Sequence, residues 1–283
     1  MTETSAHVVS FDWLQANLGK PGLSIVDASW YLPVHNRDPR VEYAAGHVPG
    51  AVFFDHDRVV DPTSKLPHTL PLPHLFAEYA SSMGITAKDT IVVYDGPGMS
   101  SAPRVWWMFR IMGAKNVFVL DGGFDQWKAE GRPVSHGVTQ IAPSAFIVDF
   151  KKDAVARFDE MLDIVKTGSS QIADARSRGR FTGEQPEPRA GMRSGHMPGA
   201  RSVPIATLSE NGHLKDLAGL REALVSAGID LGKPVVTSCG SGVTAAVIAL
   251  ALHSVGHTDN RLYDGSWSEW GGRSDTPVVT GEP

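Results

Sequence analysis

The sequence repeats itself at about half its length, and this limits the possible folds more than any other feature. The matched pairs are Phe11-Asp12 with Phe158-Asp159, Val26-Asp27-Ala28 with Ala173-Asp174-Ala175, the Gly-His-x-Pro-Gly-Ala motifs at 46–51 and 195–200, and Asp121-Gly122 with Asp264-Gly265, followed by Trp127 and Trp270. The shift between partners stays between 143 and 149 positions in a chain of 283 residues, and the order is the same in both halves. Duplication of a domain explains this better than a short solenoid repeat. We therefore expect two related domains in tandem.

The length of the chain suits two domains, because 283 residues exceed one average domain and let each half bury its own core. A stretch of Pro, Ser and Ala at 141–145, followed by charged residues at 151–153, is typical of a linker. We expect an N-terminal domain over residues 1–140, a linker over residues 141–153 and a C-terminal domain over residues 154–283.

Short apolar runs alternate with amphipathic stretches along both halves. Continuous Val- and Ile-rich runs bounded by Gly, Asp or Pro are typical of buried parallel strands, and the segments between them fit helices. Each half is therefore predicted to be an α/β domain with a mainly parallel sheet flanked by helices. The clearest helix is predicted over Thr244–Val255, with Gly256 just after its end. The predicted strands lie at 24–28, 90–94, 117–120, 171–175 and 234–238.

Charge and hydropathy argue against two classes of partner. The 26 basic and 31 acidic residues give a net charge of -5 without a basic run, so nucleic acid is not an expected partner. No stretch approaches the ~20 apolar residues of a membrane span, and the N-terminus has no cationic and apolar leader pattern. We expect a soluble, cytoplasmic protein that has no membrane partner.

The sequence contains a single cysteine, Cys239. One thiol excludes an internal disulfide, a four-cysteine zinc site and a dithiol redox pair. His253 and His257 have the spacing of two metal ligands, but Gly256 interrupts the predicted helix between them and no suitably spaced carboxylate completes a site. We predict no metal and no other cofactor, so any chemistry must use one sulfur.

Cys239 lies in a Cys-Gly-Ser-Gly-Val-Thr loop between a predicted strand and the clearest predicted helix. A helix N-terminus offers unpaired N–H groups and a partial positive charge, which favour a thiolate or an anionic persulfide. Gly240 and Gly242 let the backbone curl so that several N–H groups point inward. Ser241 and Thr244 add hydroxyl donors without adding charge. The loop therefore predicts a nucleophilic cysteine in an anion-binding cradle.

Two other interpretations of the cysteine are open at this point. A lone cysteine is often a buried small hydrophobic residue, although the flanking glycines argue against that role here. Cysteine phosphatases use a similar loop, but they need an arginine six residues after the cysteine, where this sequence has Ala245. The phosphatase interpretation therefore fails on the residue that would bind phosphate.

Several longer motifs accompany the cysteine loop. They are Asp-Ala-Ser-Trp-Tyr-Leu-Pro at 27–33, the two Gly-His-x-Pro-Gly-Ala motifs, Gly-Arg-Phe at 179–181, Pro-Glu-Pro-Arg at 186–189 and Tyr-Asp-Gly-Ser-Trp at 263–267. In the order and spacing of these motifs, over nearly the whole chain, the sequence resembles the rhodanese-like sulfurtransferases, and among them the 3-mercaptopyruvate sulfurtransferase branch. The resemblance implies two tandem rhodanese-like domains and a sulfur carried on Cys239 as a transient persulfide.

The resemblance also implies different tasks for the two halves. The N-terminal domain is expected to be catalytically silent, and the repeat agrees, since it places Asp95 where the second half has Cys239. Arg180 and Arg189 match the family's substrate-binding arginines, and a planar guanidinium suits a keto-acid carboxylate. The alternative is that both are solvated surface arginines. The loop residues that complete the predicted binding site are Gly240, Gly242, Val243 and Thr244.

The charge of the loop indicates the sulfur donor. Rhodaneses that prefer thiosulfate, a compact dianion, resemble one another in having basic side chains inside the loop, and this loop has none. We expect an enzyme that takes sulfur from 3-mercaptopyruvate, releases pyruvate and passes the sulfur to a thiol or to cyanide. The alternatives are a thiosulfate sulfurtransferase and a non-catalytic rhodanese-like binding module, although such modules commonly lack the cysteine.

A proton relay through Ser241, His47 and Asp38 is a further implication of the resemblance. His196 occupies the matching motif in the other half, so His47 is explained equally well as a turn residue. Asp38 lies in a charged loop, where a solvated carboxylate is the usual state. Because no second cysteine can resolve the persulfide, the acceptor must come from outside, as thioredoxin or a low-molecular-weight thiol. Family habit implies a monomer.

Overall fold

The computed structural model describes residues 3–283, which form two five-stranded sheets, one in each half of the chain. The first half has strands Val8–Val9 (β1), Leu23–Asp27 (β2), Ala51–Phe53 (β3), Thr90–Tyr94 (β4) and Asn116–Leu120 (β5), and helices Phe11–Asn17 (α1), Pro39–Ala45 (α2), Pro73–Ser82 (α3), Ala102–Ile111 (α4) and Gly123–Ala129 (α5).

The second half repeats this sequence of elements and adds a short antiparallel hairpin. Its strands are Val155–Ala156 (β6), Gln171–Asp174 (β7), Ala200–Ser202 (β8), Ser209–Glu210 (β9), His213–Leu214 (β10), Val235–Ser238 (β11) and Asn260–Tyr263 (β12). Its helices are Phe158–Thr167 (α6), Arg178–Thr182 (α7), Leu217–Ser226 (α8), Ala245–Ser254 (α9) and Ser266–Trp270 (α10). Strands β9 and β10 form the hairpin.

Both five-stranded sheets have the same topology. The orders are β1-β5-β4-β2-β3 and β6-β12-β11-β7-β8, and every neighbouring pair is parallel. The α/β prediction and the two-domain repeat are confirmed. In each sheet the central strand, β4 or β11, ends at the loop that the repeat aligns, so Asp95 and Cys239 occupy equivalent positions at the carboxyl edges of their sheets.

The helix predicted after Cys239 is confirmed as α9, and Gly256 has a left-handed φ of +83° just beyond it. All residues of α9 from Ala245 to Leu252 are buried, because α9 packs against β11 on one side and against α4 of the other domain. Buried side chains of both helices belong to one continuous apolar core. The two domains therefore meet along α4 and α9, and the loops that precede these helices lie near the same interface.

Two irregular segments tie the domains together. Residues 141–150 form no helix or strand, but Phe146 packs against Phe76 and Phe109 of the first domain, with ring centroids 5.5 and 5.9 Å away. At the N-terminus, the Ser5 Oγ lies 2.6 Å from the Ser254 Oγ at the end of α9. Among residues 3–283, no helix is long and apolar enough to cross a membrane.

Candidate active site

The Cys239 loop is held in place from the side of α10. The carbonyl of Cys239 accepts a hydrogen bond from the Trp267 N–H at 2.9 Å, and the carbonyl of Gly240 accepts one from the Ser268 N–H at 2.8 Å. The Ser268 hydroxyl donates a second bond to the Gly240 carbonyl, at 2.7 Å. Because these carbonyls point toward α10, the peptide N–H groups of the loop are turned toward its inside. Cys239 itself is a free thiol with 2% of its surface exposed.

The inside of the loop is lined by unused backbone donors. Within residues 3–283, the N–H groups of the five residues from Gly240 to Thr244 donate no hydrogen bond to another protein group. Gly242 has a φ of +78°, a left-handed conformation that lets the chain curl around the centre of the loop. Such successive N–H groups at a helix N-terminus form a binding site for an anion.

The matching loop of the first domain shows how such a cradle is filled. The carboxylate of Asp95 accepts hydrogen bonds from the N–H groups of Gly98, Ser100, Ser101 and Ala102, at 2.6 to 3.0 Å. Burial raises the pKa of Asp95, and the four N–H donors oppose that shift by favouring the charged form. The first cradle is therefore occupied by a side chain of the protein, whereas the second is open toward Cys239.

Two polar side chains of the first domain, His68 and Asp57, continue a line of contacts from Ser241 of the cysteine loop. The Ser241 Oγ lies 2.9 Å from the Nδ1 of His68, and the Nε2 of His68 lies 3.2 Å from the Oδ1 of Asp57. Because a carboxylate can only accept, the Nε2 carries a proton and the Nδ1 of a neutral ring accepts from Ser241. Burial lowers the pKa of His68, which Asp57 opposes, and the hydrogen bond with His68 lowers the pKa of Asp57. The arrangement suits proton transfer at Ser241.

The structure does not bring His47 or Asp38 to Ser241, which corrects the relay expected from the sequence. The Nδ1 of His47 lies 2.8 Å from the Tyr43 carbonyl and its Nε2 lies 3.2 Å from the Thr139 hydroxyl, so both ring nitrogens are engaged inside the first domain. The Asp38 carboxylate caps the N-terminus of α2, where it accepts from the Arg40 and Val41 N–H groups at 2.9 and 3.1 Å. Local capping and turn bonds hold both residues.

The two predicted arginines do reach the cysteine loop. A cavity of 310 Å³ is lined by both, together with Cys239, Ser241 and Gly240. A Cβ atom on Gly240 would lie 3.0 Å from an Arg180 guanidinium nitrogen and 3.7 Å from one of Arg189, so a glycine is needed beneath them. Burial lowers the pKa of Arg189, and a negative charge on Cys239 opposes this. The remaining loop side chains that line the cavity are those of Val243 and Thr244.

Gly242 is the one loop residue of the predicted binding site that lies in a different environment. It does not line the cavity, and its carbonyl faces the first domain, 3.4 Å from a guanidinium nitrogen of Arg104. A Cβ atom on Gly242 would lie 2.9 Å from the Asp264 carbonyl oxygen. Gly242 therefore shapes the loop at the domain interface and does not itself face the cavity.

A buried chain of charges positions Arg180. Its guanidinium binds both carboxylate oxygens of Glu187, at 3.1 and 2.5 Å. Glu187 also accepts from Arg176 at 2.8 Å, and Arg176 is paired with Asp174 at the end of β7. The bidentate contact fixes the plane of the Arg180 guanidinium while its outer edge faces the cavity. Glu187 lies in the Pro-Glu-Pro-Arg motif, and that motif is the sequence signal by which Glu187 could have been identified.

An interdomain contact between Arg104 and Asp264 holds the two halves of the site together. Arg104, at the start of α4, is 1% exposed and binds an Asp264 oxygen at 2.6 Å. The same guanidinium donates to the carbonyl of His68 at 2.9 Å, and the other Asp264 oxygen accepts from the Leu70 N–H at 2.7 Å. The contact positions the His68 segment against the cysteine loop. A charge at the start of a helix whose only other charged residue is Arg110, in the last turn, was the sequence signal for Arg104.

The described part of the chain contains no group of three or more His, Cys, Asp or Glu side chains that would hold a metal ion. His257, which the sequence paired with His253, has both ring nitrogens close to backbone carbonyls, those of Leu231 and Asp259 at 3.1 and 3.0 Å. The chemistry available at the site is therefore that of a buried thiol, open N–H donors, two arginines and a Ser-His-Asp line.

Comparisons with known proteins agree with this picture. Residues 10–130 and 157–273 each match the family model described as a rhodanese-like domain. The chain is 41% identical over 271 residues to the 3-mercaptopyruvate sulfurtransferase of Escherichia coli K12, with 95% of this chain and 96% of that protein covered. It is 41% identical over 301 residues to thiosulfate/3-mercaptopyruvate sulfurtransferase 1, mitochondrial, of Arabidopsis thaliana, with 99% and 79% covered. The crystal structure of SseA from E. coli, a 3-mercaptopyruvate sulfotransferase, superposes with a TM-score of 0.85 at 38% identity, with 92% and 98% covered.

Proposed function

Because this chain belongs to the rhodanese-like family, we propose that it is a sulfurtransferase that takes sulfur from 3-mercaptopyruvate and passes it on through a persulfide of Cys239. The observation that carries the proposal is the cysteine cradle, in which the N–H groups around Cys239 are open while the equivalent donors of the first domain are used by Asp95. A free cradle at a buried thiol stabilises an anionic sulfur.

The first half-reaction forms one bond and breaks one bond. The Cys239 thiolate attacks the sulfur of 3-mercaptopyruvate, an S–S bond forms, and the carbon–sulfur bond breaks with its electron pair left on carbon. The product is the enolate of pyruvate, which takes a proton to become pyruvate. The proton of the donor thiol balances this step, so that Cys239 is left as an anionic persulfide in the cradle.

Arg180 and Arg189 are proposed to hold the donor. Both line the cavity beside Gly240, and an Arg189 guanidinium nitrogen lies 3.5 Å from the Ser241 Oγ. A pair of guanidinium groups binds a carboxylate beside a ketone and stabilises the enolate charge as it develops. The side chains of the loop carry no charge, which suits a donor whose charge lies on its carboxylate and not on the transferred sulfur.

Proton transfer is proposed to run through Ser241 and His68, with Asp57 orienting the ring. The Nδ1 of His68 lies 2.9 Å from the Ser241 Oγ. The Ser241 hydroxyl therefore passes a proton from the donor thiol to the enolate carbon, and the His68 ring accepts and returns the hydroxyl proton during this transfer. The first domain, residues 1–140, is thus proposed to have no nucleophile of its own but to provide His68 and Asp57 to a site in the second domain.

The acceptor is proposed to be an external thiol, either thioredoxin or a low-molecular-weight thiol, because Cys239 is the single cysteine of the chain. Exchange with such a thiol returns Cys239 to the thiolate and leaves the outer sulfur on the acceptor as a persulfide. A monomer in the cytoplasm is the proposed working state.

Mass spectrometry and donor comparison test the proposal. Intact protein incubated with 3-mercaptopyruvate should gain one sulfur atom, and the Cys239→Ser variant should gain none. The catalytic efficiency with 3-mercaptopyruvate should exceed that with thiosulfate by at least tenfold. A clear preference for thiosulfate would show that thiosulfate is the donor instead. Thiosulfate is the nearest alternative, because the name of the Arabidopsis relative includes both donors. Absence of the added sulfur would indicate a non-catalytic binding module.

A further inference from the structure

A second cavity, of 180 Å³, lies at the far end of α4 and α9 from the cysteine loop. Arg110 in the last turn of α4 and His253 in the last turn of α9 line it, together with Lys151 of the segment that connects the domains. The indole rings of Trp106 and Trp107 form an apolar wall. Since each helix has ten residues, this cavity is about 15 Å from the loop that holds Cys239.

The cations at this cavity have no acidic partner. Within residues 3–283, neither the Arg110 guanidinium nor the Lys151 ammonium forms a hydrogen bond or an ion pair with another protein group. Arg104, at the other end of the same helix, is by contrast paired with Asp264 at 2.6 Å. A half-buried arginine without a counter-charge is costly, because no carboxylate offsets the burial of its charge.

The basic side chains form one compact cluster around an aromatic ring. The guanidinium carbon of Arg110 lies 4.9 Å from the centre of the Trp106 ring. The rings of His7 and His253 each lie 5.6 Å from the Trp106 ring and 5.9 Å from each other. The cluster therefore joins the N-terminal segment, α4 and α9 at the domain interface.

The electrostatic effect of this crowding is visible at His253. Burial lowers the pKa of His253 to about 4, and Arg110, His7, His257 and Lys151 all act in the same direction. Burial and Arg110 also lower the pKa of His7. No carboxylate is among the groups that act most strongly on His253, and the side chains that do act on its ring are basic.

We propose that this cavity binds a small oxyanion between Arg110, Lys151 and His253. A guanidinium fork and an ammonium group provide converging donors for the oxygens, and the indole wall excludes water from one side. The bound anion bridges the first domain, the connecting segment and the second domain, and it replaces mutual repulsion among the cations with attraction. An inorganic oxyanion and a small carboxylate share this chemistry.

Sulfate is a suitable probe, because its charge does not change between pH 5 and pH 8. Calorimetric titration with sulfate, at constant ionic strength, is best done in an Arg189→Gln background so that the active-site cavity contributes little. We expect one sulfate to bind and the melting temperature to rise. The matched variants are Arg110→Gln, which removes the proposed ligand, and Lys115→Gln, which removes one exposed charge shortly after α4.

Arg110→Gln should weaken sulfate binding about tenfold or more, the effect of losing a charge-assisted hydrogen bond, whereas Lys115→Gln should leave it unchanged. Lys151→Gln should also weaken binding, and it serves if the Arg110 variant does not fold. Equal sulfate affinity in the Arg110 and Lys115 variants, or no binding in the parent, would overturn the proposal.

Two further measurements define the site. Sulfate should bind more tightly at pH 5 than at pH 8 and should move the titration of the His253 ring, followed by NMR, to higher pH, because a bound anion favours the protonated ring. His253→Gln should remove this pH dependence; a sulfate affinity that stays flat with pH in the parent would exclude His253 from the site. A parallel titration with acetate distinguishes an inorganic oxyanion from a small carboxylate as the ligand. Tighter binding of acetate would indicate a carboxylate, and tighter binding of sulfate would indicate an inorganic oxyanion.

Discussion

Residues 95–102 and 239–246 follow equivalent central strands, and both curl through a glycine with a positive φ, Gly98 at +80° and Gly242 at +78°. In the first loop the Asp95 carboxylate accepts four backbone N–H groups. In the second loop Cys239 leaves the equivalent inner donors open. The fold thus builds an anion cradle twice, and whether the protein fills the cradle itself decides whether the loop is structural or reactive.

The arginines that lie beside the two loops, Arg37 and Arg180, differ in the same way as the loops themselves. A Cβ atom on Gly96 would lie 3.0 Å from an Arg37 nitrogen, as one on Gly240 would from Arg180. Arg37, however, binds two carboxylates, those of Glu42 and Asp125, at 2.7 Å each, whereas within residues 3–283 Arg180 binds only that of Glu187. The first arginine therefore has a carboxylate on both sides of its guanidinium, and the second has one on a single side and lines the cavity with the rest.

The largest expected effect is the loss of the nucleophile. Cys239→Ala should lower kcat with 3-mercaptopyruvate by at least about a thousandfold, because the covalent step disappears. Its unfolding free energy should fall by no more than about 1 kcal/mol, since the change removes one buried sulfur atom that makes no hydrogen bond within residues 3–283. Steady-state pyruvate release and chemical denaturation measure the two quantities. A variant that keeps a tenth of the activity would contradict the assignment of Cys239.

The opposite result is expected in the first cradle. Asp95→Ala removes the acceptor of four N–H groups, those of Ser101 and Ala102 fully buried, and should lower the unfolding free energy by about 3–5 kcal/mol. Asp95→Asn keeps one acceptor oxygen and should cost less. Activity per folded molecule should stay within about threefold of the parent in both variants, because Asp95 contacts no substrate. An unchanged unfolding free energy in Asp95→Ala would break the comparison between the two cradles.

His68→Gln is expected to lower kcat about a hundredfold, the usual contribution of a positioned acid–base group. Asp57→Asn should lower kcat less, since it orients the ring and does not face Ser241. Ser241→Ala combined with His68→Gln should cost little more than either change alone, because the two act as one unit. His74→Gln, an exposed histidine of the same domain, is the control. Additive losses in the double variant would argue against a shared proton path.

The fold could be predicted from sequence because its signals are local and repeated. The strand runs, the helix after Cys239 and the collinear repeat depend on periodicity and on pairs of matching motifs, and the structure confirms them. The cysteine cradle was predictable for the same reason, since all its parts lie within six consecutive residues.

The contacts behind the proposed proton path could not be predicted in the same way. The contact between His68 and Ser241 joins residues 173 positions apart and in different domains, and no local pattern marks His68. His47 was predicted because the family resemblance implied it, whereas in the structure both of its ring nitrogens are engaged inside the first domain. Arg104 did leave a signal, a charge at the start of a mostly apolar helix, but its contact with Asp264 depends on how the two domains dock.

Acidification is expected to destabilise the first domain through His56. The second domain has no matching histidine, because the repeat places Ile205 at that position. Burial lowers the pKa of His56 to about 3, from the usual 6.5 of a histidine side chain, and its Nε2 donates to the Ala28 carbonyl at 3.0 Å. Below pH 6.5 the unfolded chain therefore binds more protons than the folded one. This loss of stability develops as pH falls from 6.5 toward 3.

Between pH 7 and pH 5, His56 should lower the unfolding free energy by about 2 kcal/mol. Denaturant titrations at both pH values measure this difference, and His56→Gln should reduce it by that amount, whereas the exposed His74→Gln should not. A pH slope that is the same in His56→Gln and the parent would show that other groups carry the acid sensitivity.

The smallest expected effect concerns the two histidines of the repeated Gly-His-x-Pro-Gly-Ala motif. The His47 ring stacks on Tyr43 at 4.2 Å, and the His196 ring stacks on Phe181 at 3.8 Å. In each, the Nδ1 donates to the carbonyl of the same aromatic residue, at 2.8 and 2.9 Å. The two histidines are structural equivalents, although His47 belongs to the domain that approaches the active site.

If both histidines hold a turn, His47→Gln and His196→Gln should each lower the unfolding free energy by about 1 kcal/mol, the net value of one hydrogen bond. Neither should change kcat by more than about twofold, because neither ring lies at the cysteine loop. Measuring both variants together separates a structural loss, which is equal in the two, from a catalytic one. A tenfold fall in kcat in His47→Gln alone would restore the relay that the sequence suggested and would make the first motif functionally different from the second.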